Sequence, residues 1–268
     1  MLLPRIITGF VLALITLAVV IYLPFKSFMI LALLLMLAMS WEWGNLAPFK
    51  ARREKLLYLL LVLMAATYFV YLVPAKIPLL MLTIFWVGSV AFLAHYPELP
   101  EHWHDSWLRA FLGLLALSAF VVGLIVVKSL SEPGAPWLLL MLLLVWGADI
   151  GAYFVGRFWG KNLLASQVSP SKTWEGVIGG LVLSYVVAGF FAYFDAIGGL
   201  SGAQLIAIVL GVNVFSIIGD LFISLLKRQI GRKDTGRILP GHGGFLDRLD
   251  GLLAVTPAFA LWLLCYVQ

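Results

Sequence analysis

The charged side chains of this chain are concentrated in residues 224–250, a stretch that lies between two apolar runs. Its three carboxylates, Asp234, Asp247 and Asp250, offer the hard oxygen atoms that Mg²⁺ prefers. Its basic side chains suit the oxygens of phosphate groups. They are Lys227, Arg228, Arg232, Lys233, Arg237 and Arg248. This combination predicts phosphate chemistry at a membrane surface.

A polar stripe precedes this stretch within an otherwise apolar run. Its central residue is Asp220, and an ionisable side chain at the centre of a bilayer costs at least ~2.5 kcal/mol. On a helix, the polar residues are three or four positions apart and share one face. They are Asn213, Ser216, Asp220, Ser224 and Lys227. We expect this stripe to lead to the active site. The alternative is that Asp220 only holds the bundle together, paired with Lys227 or with a basic residue of a neighbouring helix.

Asp247 and Asp250 stand three positions apart where the charged stretch turns into the last apolar run, so they share a face of its first helical turn. Mg²⁺ typically takes one or two protein carboxylates together with substrate phosphates. We therefore predict metal ligation by Asp247 and Asp250, with Asp220 completing the site. The alternative is that both carboxylates simply cap the helix and pair with its dipole.

The glycine-rich turn at 240–244, with the sequence PGHGG, suits close approach of the backbone to a ligand. We expect the N–H groups of Gly243 and Gly244 to bind phosphate before a helix begins. His242 is a candidate for hydrogen bonding to a phosphate or for acting as an acid, and the alternative is a surface histidine. The turn is not a P-loop, and the segment GRFWGKN at 156–162 lacks the P-loop glycine spacing.

A second polar segment, residues 147–176, is predicted to lie on the same face of the membrane. It contains Asp149 and Arg157 at helical spacing, followed by the sequence SPSKTWEG at 169–176. Ser171 and Lys172 suit contacts to a nucleotide phosphate or base, and Glu175 could pair with Lys172 or another cation. The alternative is a helix start, with Ser171 or Lys172 and Glu175 in a loose capping arrangement.

The elements that must position these groups are membrane helices. The chain has 268 residues, of which 63% are hydrophobic and 12% charged, and its mean hydropathy is +1.04. A span needs about 20 apolar residues, so we predict an all-α integral membrane protein, a bundle of about nine transmembrane helices. The expected spans are 5–24, 27–47, 56–74, 78–95, 108–130, 136–157, 174–194, 203–228 and 250–267.

Charge placement predicts the topology of these spans. With nine spans, 15 of the 18 Lys and Arg residues fall on the side of the N-terminus, and basic residues favour the cytoplasm. We expect a cytoplasmic N-terminus and a polar active-site cavity at the cytoplasmic leaflet. Residues 1–135 would supply about five N-terminal spans, and 136–268 a catalytic region with cytoplasmic loops 157–173 and 229–249. The net charge of +5 includes no basic domain for nucleic acid, so nucleic acid is not an expected partner.

The order and spacing of these groups resemble the integral-membrane phosphatidate cytidylyltransferases, also called CDP-diglyceride synthases. The family signature is a Ser, a Lys-Arg pair, a Lys-Asp pair, Pro-x-His-Gly-Gly and a final Asp-Arg-x-Asp. These correspond to Ser224, Lys227 and Arg228, Lys233 and Asp234, 240–244, and 247–250. The segment at 169–176 is similar to a second motif of the family. The motifs cover about the last 120 residues, and the first 145 resemble the family only as apolar spans.

The resemblance implies that CTP and phosphatidic acid react to give CDP-diacylglycerol and pyrophosphate in the cytoplasmic (inner) membrane. It assigns metal binding to Asp220 and Asp247, with Asp250 in support, and the family is associated with a paired Mg²⁺ and K⁺ centre. It also implies a homodimer. The residues implied to be catalytic are Asp220, Asp247, Lys227 and Arg248. Those implied to bind substrate are Ser171, Lys172, Ser224, Arg228, Lys233, His242, Gly243 and Gly244.

Two other functions are compatible with parts of this pattern. A CTP-dependent lipid kinase would use the same metal and basic groups but attack the γ-phosphorus, so the product separates the two enzymes. An ion-coupled transporter could use intramembrane carboxylates such as Asp149 and Asp220. A transporter usually places its site near the midplane between repeats, whereas these charged groups gather at one surface.

Overall fold

The computed structural model describes residues 2–98, 103, 105–131, 135–198, 200–236, 238 and 243–266, with side chains from residue 9 onward. His242, a predicted substrate-binding residue, lies outside the described residues. The described chain forms nine α-helices and one two-stranded sheet. The elements are α1 (Leu2–Tyr22), α2 (Phe25–Leu46), α3 (Arg52–Tyr71), α4 (Lys76–His95), α5 (Ser106–Leu130), α6 (Pro136–Trp159), β1 (Leu163–Ala165), β2 (Ser169–Thr173), α7 (Trp174–Tyr193), α8 (Gly202–Gln229) and α9 (Leu246–Tyr266).

The helices confirm the predicted all-α, multi-pass membrane architecture. Eight of the described helices are long and apolar enough to cross a membrane, and α1 contains the apolar segment Gly9–Tyr22. Large apolar side chains such as Leu60, Ile84 and Val182 are more than half exposed on the outside of the bundle. Lipid is the solvent that such surfaces require, and a helix satisfies its own backbone hydrogen bonds there.

The ends of the helices follow ordinary capping chemistry, with one consequence for the site. Ser201 and Gln204 form a capping box at the start of α8, and Pro136 occupies the first position of α6. Helix α9 begins at Leu246, whereas the sequence predicted its span from residue 250. The first turn of α9 therefore contains Asp247, and Asp250 follows about one turn later on the same helix.

Helix α5 lies at the centre of the bundle. It is the most buried of the candidate spans, and it packs against α2, α3, α4, α6 and α9. Helices α8 and α9 approach each other at Gly219 and Gly251, where any side chain would collide with Asp250 O or Ser216 Oγ. This close approach brings the polar stripe of α8 next to the first turns of α9.

The loop predicted at 157–173 is partly a small sheet. Strands β1 and β2 are antiparallel and pair Leu163 with Thr173 and Ala165 with Ser169. The alternative of a helix start is correct for this segment, since α7 begins at Trp174, but its cap is neither Ser171 nor Lys172. The N-cap is Thr173, whose Oγ1 accepts a hydrogen bond from Gly176 N at 3.1 Å. The sheet and α7 therefore meet at Thr173, one residue after Lys172.

Glu175 fixes the other end of this hairpin. Its carboxylate accepts hydrogen bonds from the backbone N–H groups of Lys161 and Asn162 and, at 2.7 Å, from Asn162 Nδ2. Glu175 thus does not pair with Lys172 as the sequence suggested, and Lys172 pairs with Asp220. Instead, Glu175 ties the end of α6 to the first turn of α7, which holds the hairpin between them in place.

Candidate active site

A cavity of about 530 Å³ lies between α6, β2, α7 and α8. Its wall contains both charged or polar side chains and small or apolar ones. The charged and polar residues are Asp149, Tyr153, Arg157, Ser171, Lys172, Thr173, Asn213, Ser216 and Asp220. The small and apolar residues are Ala148, Ala152, Gly156, Leu164, Gly176, Val177, Gly180 and Ile217. The cavity therefore combines charged and apolar surface within the helix bundle.

The polar stripe predicted on α8 forms a wall of this cavity. Asn213, Ser216 and Asp220 all line it, and Ser224 Oγ donates a hydrogen bond of 3.3 Å to Asp220 Oδ1. The last member of the stripe, Lys227, turns to a different carboxylate. The helical spacing is thus confirmed, and the stripe reaches from the cavity to the base of the charged loop.

Asp220 is paired with Lys172. The Lys172 Nζ to Asp220 Oδ2 distance is 2.5 Å, and the two side chains are 26% and 33% exposed. The alternative partner named from the sequence, Lys227, pairs elsewhere. Because the pair is accessible from the cavity, Lys172 can exchange its carboxylate partner for another anion.

Asp149 adds a further carboxylate to the same cavity. It is exposed to the cavity and interacts electrostatically with Lys172, Asp220 and Arg248. Asp149 and Asp220 therefore flank one lysine from two helices. Arg248, on α9, is a second basic side chain that interacts with Asp149.

Asp250 faces Asp220 across the contact between α8 and α9. The two carboxyl groups are within hydrogen-bonding contact of each other, and Gly251 N donates to Asp250 Oδ1 at 2.8 Å. Two carboxylates this close repel one another unless they share a proton or a cation. A proton or a cation shared by the two side chains would relieve this repulsion.

Asp247 forms a second ion pair, with Lys227, at a Nζ to Oδ1 distance of 2.8 Å. Asp247 Oδ2 accepts three hydrogen bonds, from Thr235 N at 2.8 Å, Thr235 Oγ1 at 2.9 Å and Gly244 N at 3.0 Å. Both oxygens are engaged, and the side chain is only 6% exposed. The N–H of Gly244, predicted to bind phosphate, therefore donates to Asp247 in this structure.

Of the three predicted metal ligands, Asp220 and Asp250 therefore lie together, whereas Asp247 is paired separately with Lys227. In the described part of the chain, no group of three or more His, Cys, Asp and Glu side chains is arranged to hold a metal ion. The pair of Asp220 and Asp250 nevertheless has the donors that suit Mg²⁺, which commonly takes only one or two protein carboxylates and completes its shell with phosphates and water.

The remaining predicted substrate-binding residues occupy different places. Ser171 lines the cavity, and Arg228 Nε donates a hydrogen bond of 3.3 Å to Val168 O, which ties α8 to the β-hairpin. Lys233 lines a separate pocket of about 540 Å³ on the charged loop. Gly243 has a φ of 81°, a value that L-residues rarely adopt, so the turn requires glycine there.

Comparison with known proteins decides the family. The sequence model of the Cytidylyltransferase family matches residues 3–266. The chain belongs to the cytidylyltransferase family. It is therefore a nucleotidyltransferase by membership, and both halves of the chain fall within the match.

Relatives of this cytidylyltransferase cover most of its length. It is 40% identical to the phosphatidate cytidylyltransferase of Pseudomonas aeruginosa over 234 residues, which are 83% of each chain. It is 35% identical to the phosphatidate cytidylyltransferase of Brucella suis over 267 residues, 96% of this chain and 92% of the relative. The protein of that name from Haemophilus influenzae is 38% identical over 192 residues.

One residue of this cytidylyltransferase site was missed from the sequence. Glu42 lies near the end of α2 and is completely buried, yet its carboxylate contacts the charged loop that also holds Asp247. The signal was present, because Glu42 is the only acidic residue of an apolar span, as Asp220 is of α8. An ionisable side chain within an apolar span is costly unless it has partners, which marks Glu42 in the first half of the chain as it marks Asp220 in the second.

Proposed function

We propose that this chain transfers the cytidylyl group of CTP to phosphatidic acid, giving CDP-diacylglycerol and pyrophosphate. The observation that carries the proposal is the pair of Lys172 and Asp220 on the wall of a cavity that lies within the spans and also has an apolar side. The names of the relatives, phosphatidate cytidylyltransferases, support the choice of substrates.

The reaction requires no nucleophile from the protein. A phosphate oxygen of phosphatidic acid forms a bond to the α-phosphorus of CTP, and the bond from that phosphorus to the bridging oxygen of the β-phosphate breaks. The electron pair leaves with pyrophosphate. The protein must bring two anions together, align them and stabilise the charge on the leaving group. Lys172 in the cavity and Lys227 at the base of the loop would neutralise that charge.

The shape of the cavity suits a substrate that is half lipid. The charged wall, with Asp149, Lys172 and Asp220, would receive the phosphate head group, while Val177 and Ile217 border it with apolar surface. The acyl chains would remain in the bilayer. The excess of Lys and Arg on one side of the spans supports an active site that faces the cytoplasm, and the bacterial relatives support the inner membrane.

We also propose that Asp220 and Asp250 hold Mg²⁺, because their carboxyl groups are adjacent and a shared cation would relieve their mutual repulsion. When bound, the ion would neutralise the negative charge of substrate phosphates. The chain's own contribution is to keep the two carboxylates together through the contact of α8 with α9. Asp247, which is paired with Lys227, would act by orienting that lysine. A second cation, K⁺, stays a prediction.

The test is purified protein in detergent with phosphatidic acid, Mg²⁺ and CTP labelled at either the α- or the γ-phosphate. We expect α-label in the lipid and γ-label in pyrophosphate. Asp220→Asn should abolish the transfer of α-label, because it removes the charge opposite Lys172. Glu98→Gln, at an exposed acid away from the cavity, should transfer as the wild type does.

Two results would contradict this proposal. Label from the γ-phosphate in the lipid would identify a lipid kinase, because the bond broken would then be the one to the γ-phosphorus. Failure of the wild-type protein to transfer either label, in preparations that remain folded, would remove the assignment to lipid substrates.

A further inference from the structure

Glu42 is a buried carboxylate that reaches from an N-terminal span into the charged loop. Its Oε1 accepts a hydrogen bond from Phe245 N at 3.1 Å, and its Oε2 accepts from Leu246 N at 2.8 Å and from Thr235 Oγ1 at 3.2 Å. Its exposed fraction is 0%. A buried carboxylate is tolerated only with such partners, and all three belong to the loop or to the helix that carries Asp247.

Two of these contacts cap α9. The first N–H groups of a helix have no partner within the helix, and negative charge at that end is favourable. Leu246 is the first residue of α9 and Phe245 precedes it. Glu42 thus performs, from 204 positions away in the sequence, the task that an N-cap residue usually performs locally. Asp247, in the same first turn, is held where this cap places it.

The third contact joins Glu42 to Asp247 through one hydroxyl group. Thr235 Oγ1 is 3.2 Å from Glu42 Oε2 and 2.9 Å from Asp247 Oδ2. A threonine hydroxyl has a single proton to donate, so it can serve only one of the two carboxylates at a time. When the hydroxyl serves Glu42, the backbone N–H of Thr235 still donates to Asp247 Oδ2 at 2.8 Å, so Thr235 links the two carboxylates.

The loop is shaped around the Glu42 carboxylate. A Cβ atom at Gly236 or at Gly244 would collide with the carboxylate oxygens of Glu42. Two backbone segments of the loop thus lie against this one side chain from either side. The loop can close in this way only because both positions lack a side chain.

The helix that carries Glu42 is itself fixed to the centre of the bundle. Trp43 Nε1 donates to Arg109 O at 2.8 Å, and an Arg109 guanidinium N–H donates to Leu46 O at 3.3 Å. Arg109 and Trp43 are almost fully buried. The end of α2 is therefore a rigid support from which Glu42 extends, and α5 is the element that supplies the rigidity.

We propose that Glu42 is a positioning residue for cytidylyl transfer. It caps α9 and holds Thr235, and through both it orients Asp247 and the Lys227 ammonium paired with it toward the substrate phosphates. This inference rests on the proposed function. Glu42 does not line the cavity of about 530 Å³, so it acts on the geometry of the reacting groups and leaves the binding of the lipid head group largely unchanged.

The test is Glu42→Gln, which keeps the shape of the side chain but removes its charge and one acceptor. We expect kcat to fall about 10- to 100-fold, the range for a small misplacement of catalytic groups, with the KM for phosphatidic acid changed less than about threefold. Hydrogen exchange should quicken at the N–H groups of Phe245 and Leu246, because their acceptor is weakened.

The matched control is Glu54→Gln. The Glu54 carboxylate also serves a helix start, since it accepts from the N–H groups of Lys50 and Ala51 at the beginning of α3. Loss of a cap should lower Tm in both variants, and by more in Glu42→Gln because that carboxylate is buried and the Glu54 carboxylate is exposed, but only Glu42→Gln should lower kcat. Two further variants test the role of the Thr235 hydroxyl. Thr235→Val, which lacks the hydroxyl, should lower kcat, whereas Thr235→Ser, which retains it, should keep kcat close to that of the wild type.

The outcomes are distinct. A wild-type kcat in Glu42→Gln, or in Thr235→Val if Glu42→Gln does not fold, would overturn the positioning role. An equal loss of kcat in Glu42→Gln and Glu54→Gln would also overturn it, because the effect would then come from general instability. A wild-type protein that transfers no α-label would instead overturn the proposed function itself, a result visible before any variant is made.

Discussion

Lys172 Nζ and Asp220 Oδ2 are 2.5 Å apart and join the β-hairpin to the middle of α8. The pair closes the charged side of the cavity. On the proposed function, an arriving phosphate would compete with Asp220 for the ammonium group, and Mg²⁺ would compete with Lys172 for the carboxylate. Within this pair the charges of Lys172 and Asp220 compensate each other, while Asp149 and Asp250 add further acidic groups beside it.

Replacing Lys172 tests whether this ammonium group stabilises the transition state. Lys172→Met should lower kcat/KM by about 100- to 1,000-fold, the usual effect of removing one donor that stabilises developing charge. The matched control is Lys161→Met, at an exposed lysine before β1 that does not line the cavity. Steady-state kinetics with CTP and phosphatidic acid measure both. Equal activity of the two variants would remove Lys172 from the reaction.

The contact between Asp220 and Asp250 predicts opposite effects on stability and on metal dependence. Asp250→Asn removes the repulsion between the two carboxylates, so Tm in the presence of EDTA should stay the same or rise. The Mg²⁺ concentration needed for half-maximal activity should rise at least about tenfold. Asp105→Asn is a suitable control, since asparagine also caps the start of α5 well. An unchanged Mg²⁺ requirement in Asp250→Asn would place the metal elsewhere.

Thr173 caps a helix and also directly follows Lys172, so comparison with a second helix cap tests whether its effect on activity is specific. Thr173 caps α7 and Ser201 caps α8, the latter through a hydrogen bond of 3.3 Å from Gln204 N. Thr173→Val and Ser201→Ala should each lower the free energy of unfolding by ~1 kcal/mol. Only the change at Thr173 should also lower activity, because it loosens the end of β2 that holds Lys172. If Ser201→Ala lowers activity as much, the effect is a general one.

Local spacing was enough to predict part of this site. The stripe on α8 follows from residues three and four positions apart, and Asn213, Ser216 and Asp220 do line one cavity. The family and its all-α membrane fold also followed from the sequence, through the motifs around Lys227 and Asp247 and through composition. These features depend on short-range periodicity or on motifs that the sequence contains intact.

Contacts between distant residues could not be predicted in the same way. Glu42 is 204 positions from Leu246, and the choice of Lys172 for Asp220 depends on how the β-hairpin folds back on α8. From the sequence, Lys227 and any basic residue of a neighbouring helix were candidates for Asp220. Only the packing of α7 and α8 beside the hairpin distinguishes them, because a salt bridge depends on geometry that residue type does not specify.

The contact between α6 and α7 that shapes the cavity depends on glycines, and one substitution with a matched control tests this. A Cβ at Gly151 would collide with Gly179 O, and a Cβ at Gly180 would lie 2.8 Å from Ala148 O, so the two helices touch backbone to backbone. Gly151→Ala should force them apart, since backbone atoms cannot move aside as a side chain can. We expect a loss of about 1–3 kcal/mol, the usual effect of overpacking, together with lower activity.

The control is Gly189→Ala, on helix α7, the partner of the α6 helix that carries Gly151. Nothing lies within 4 Å of a Cβ at Gly189. Alanine is the better helix former by about 1 kcal/mol, so this variant should be as stable as the wild type or more stable. Thermal unfolding in detergent compares the two variants directly. If Gly151→Ala is as stable and as active as Gly189→Ala, then α6 and α7 do not pack through these glycines, and the wall of the cavity near Asp149 is formed differently.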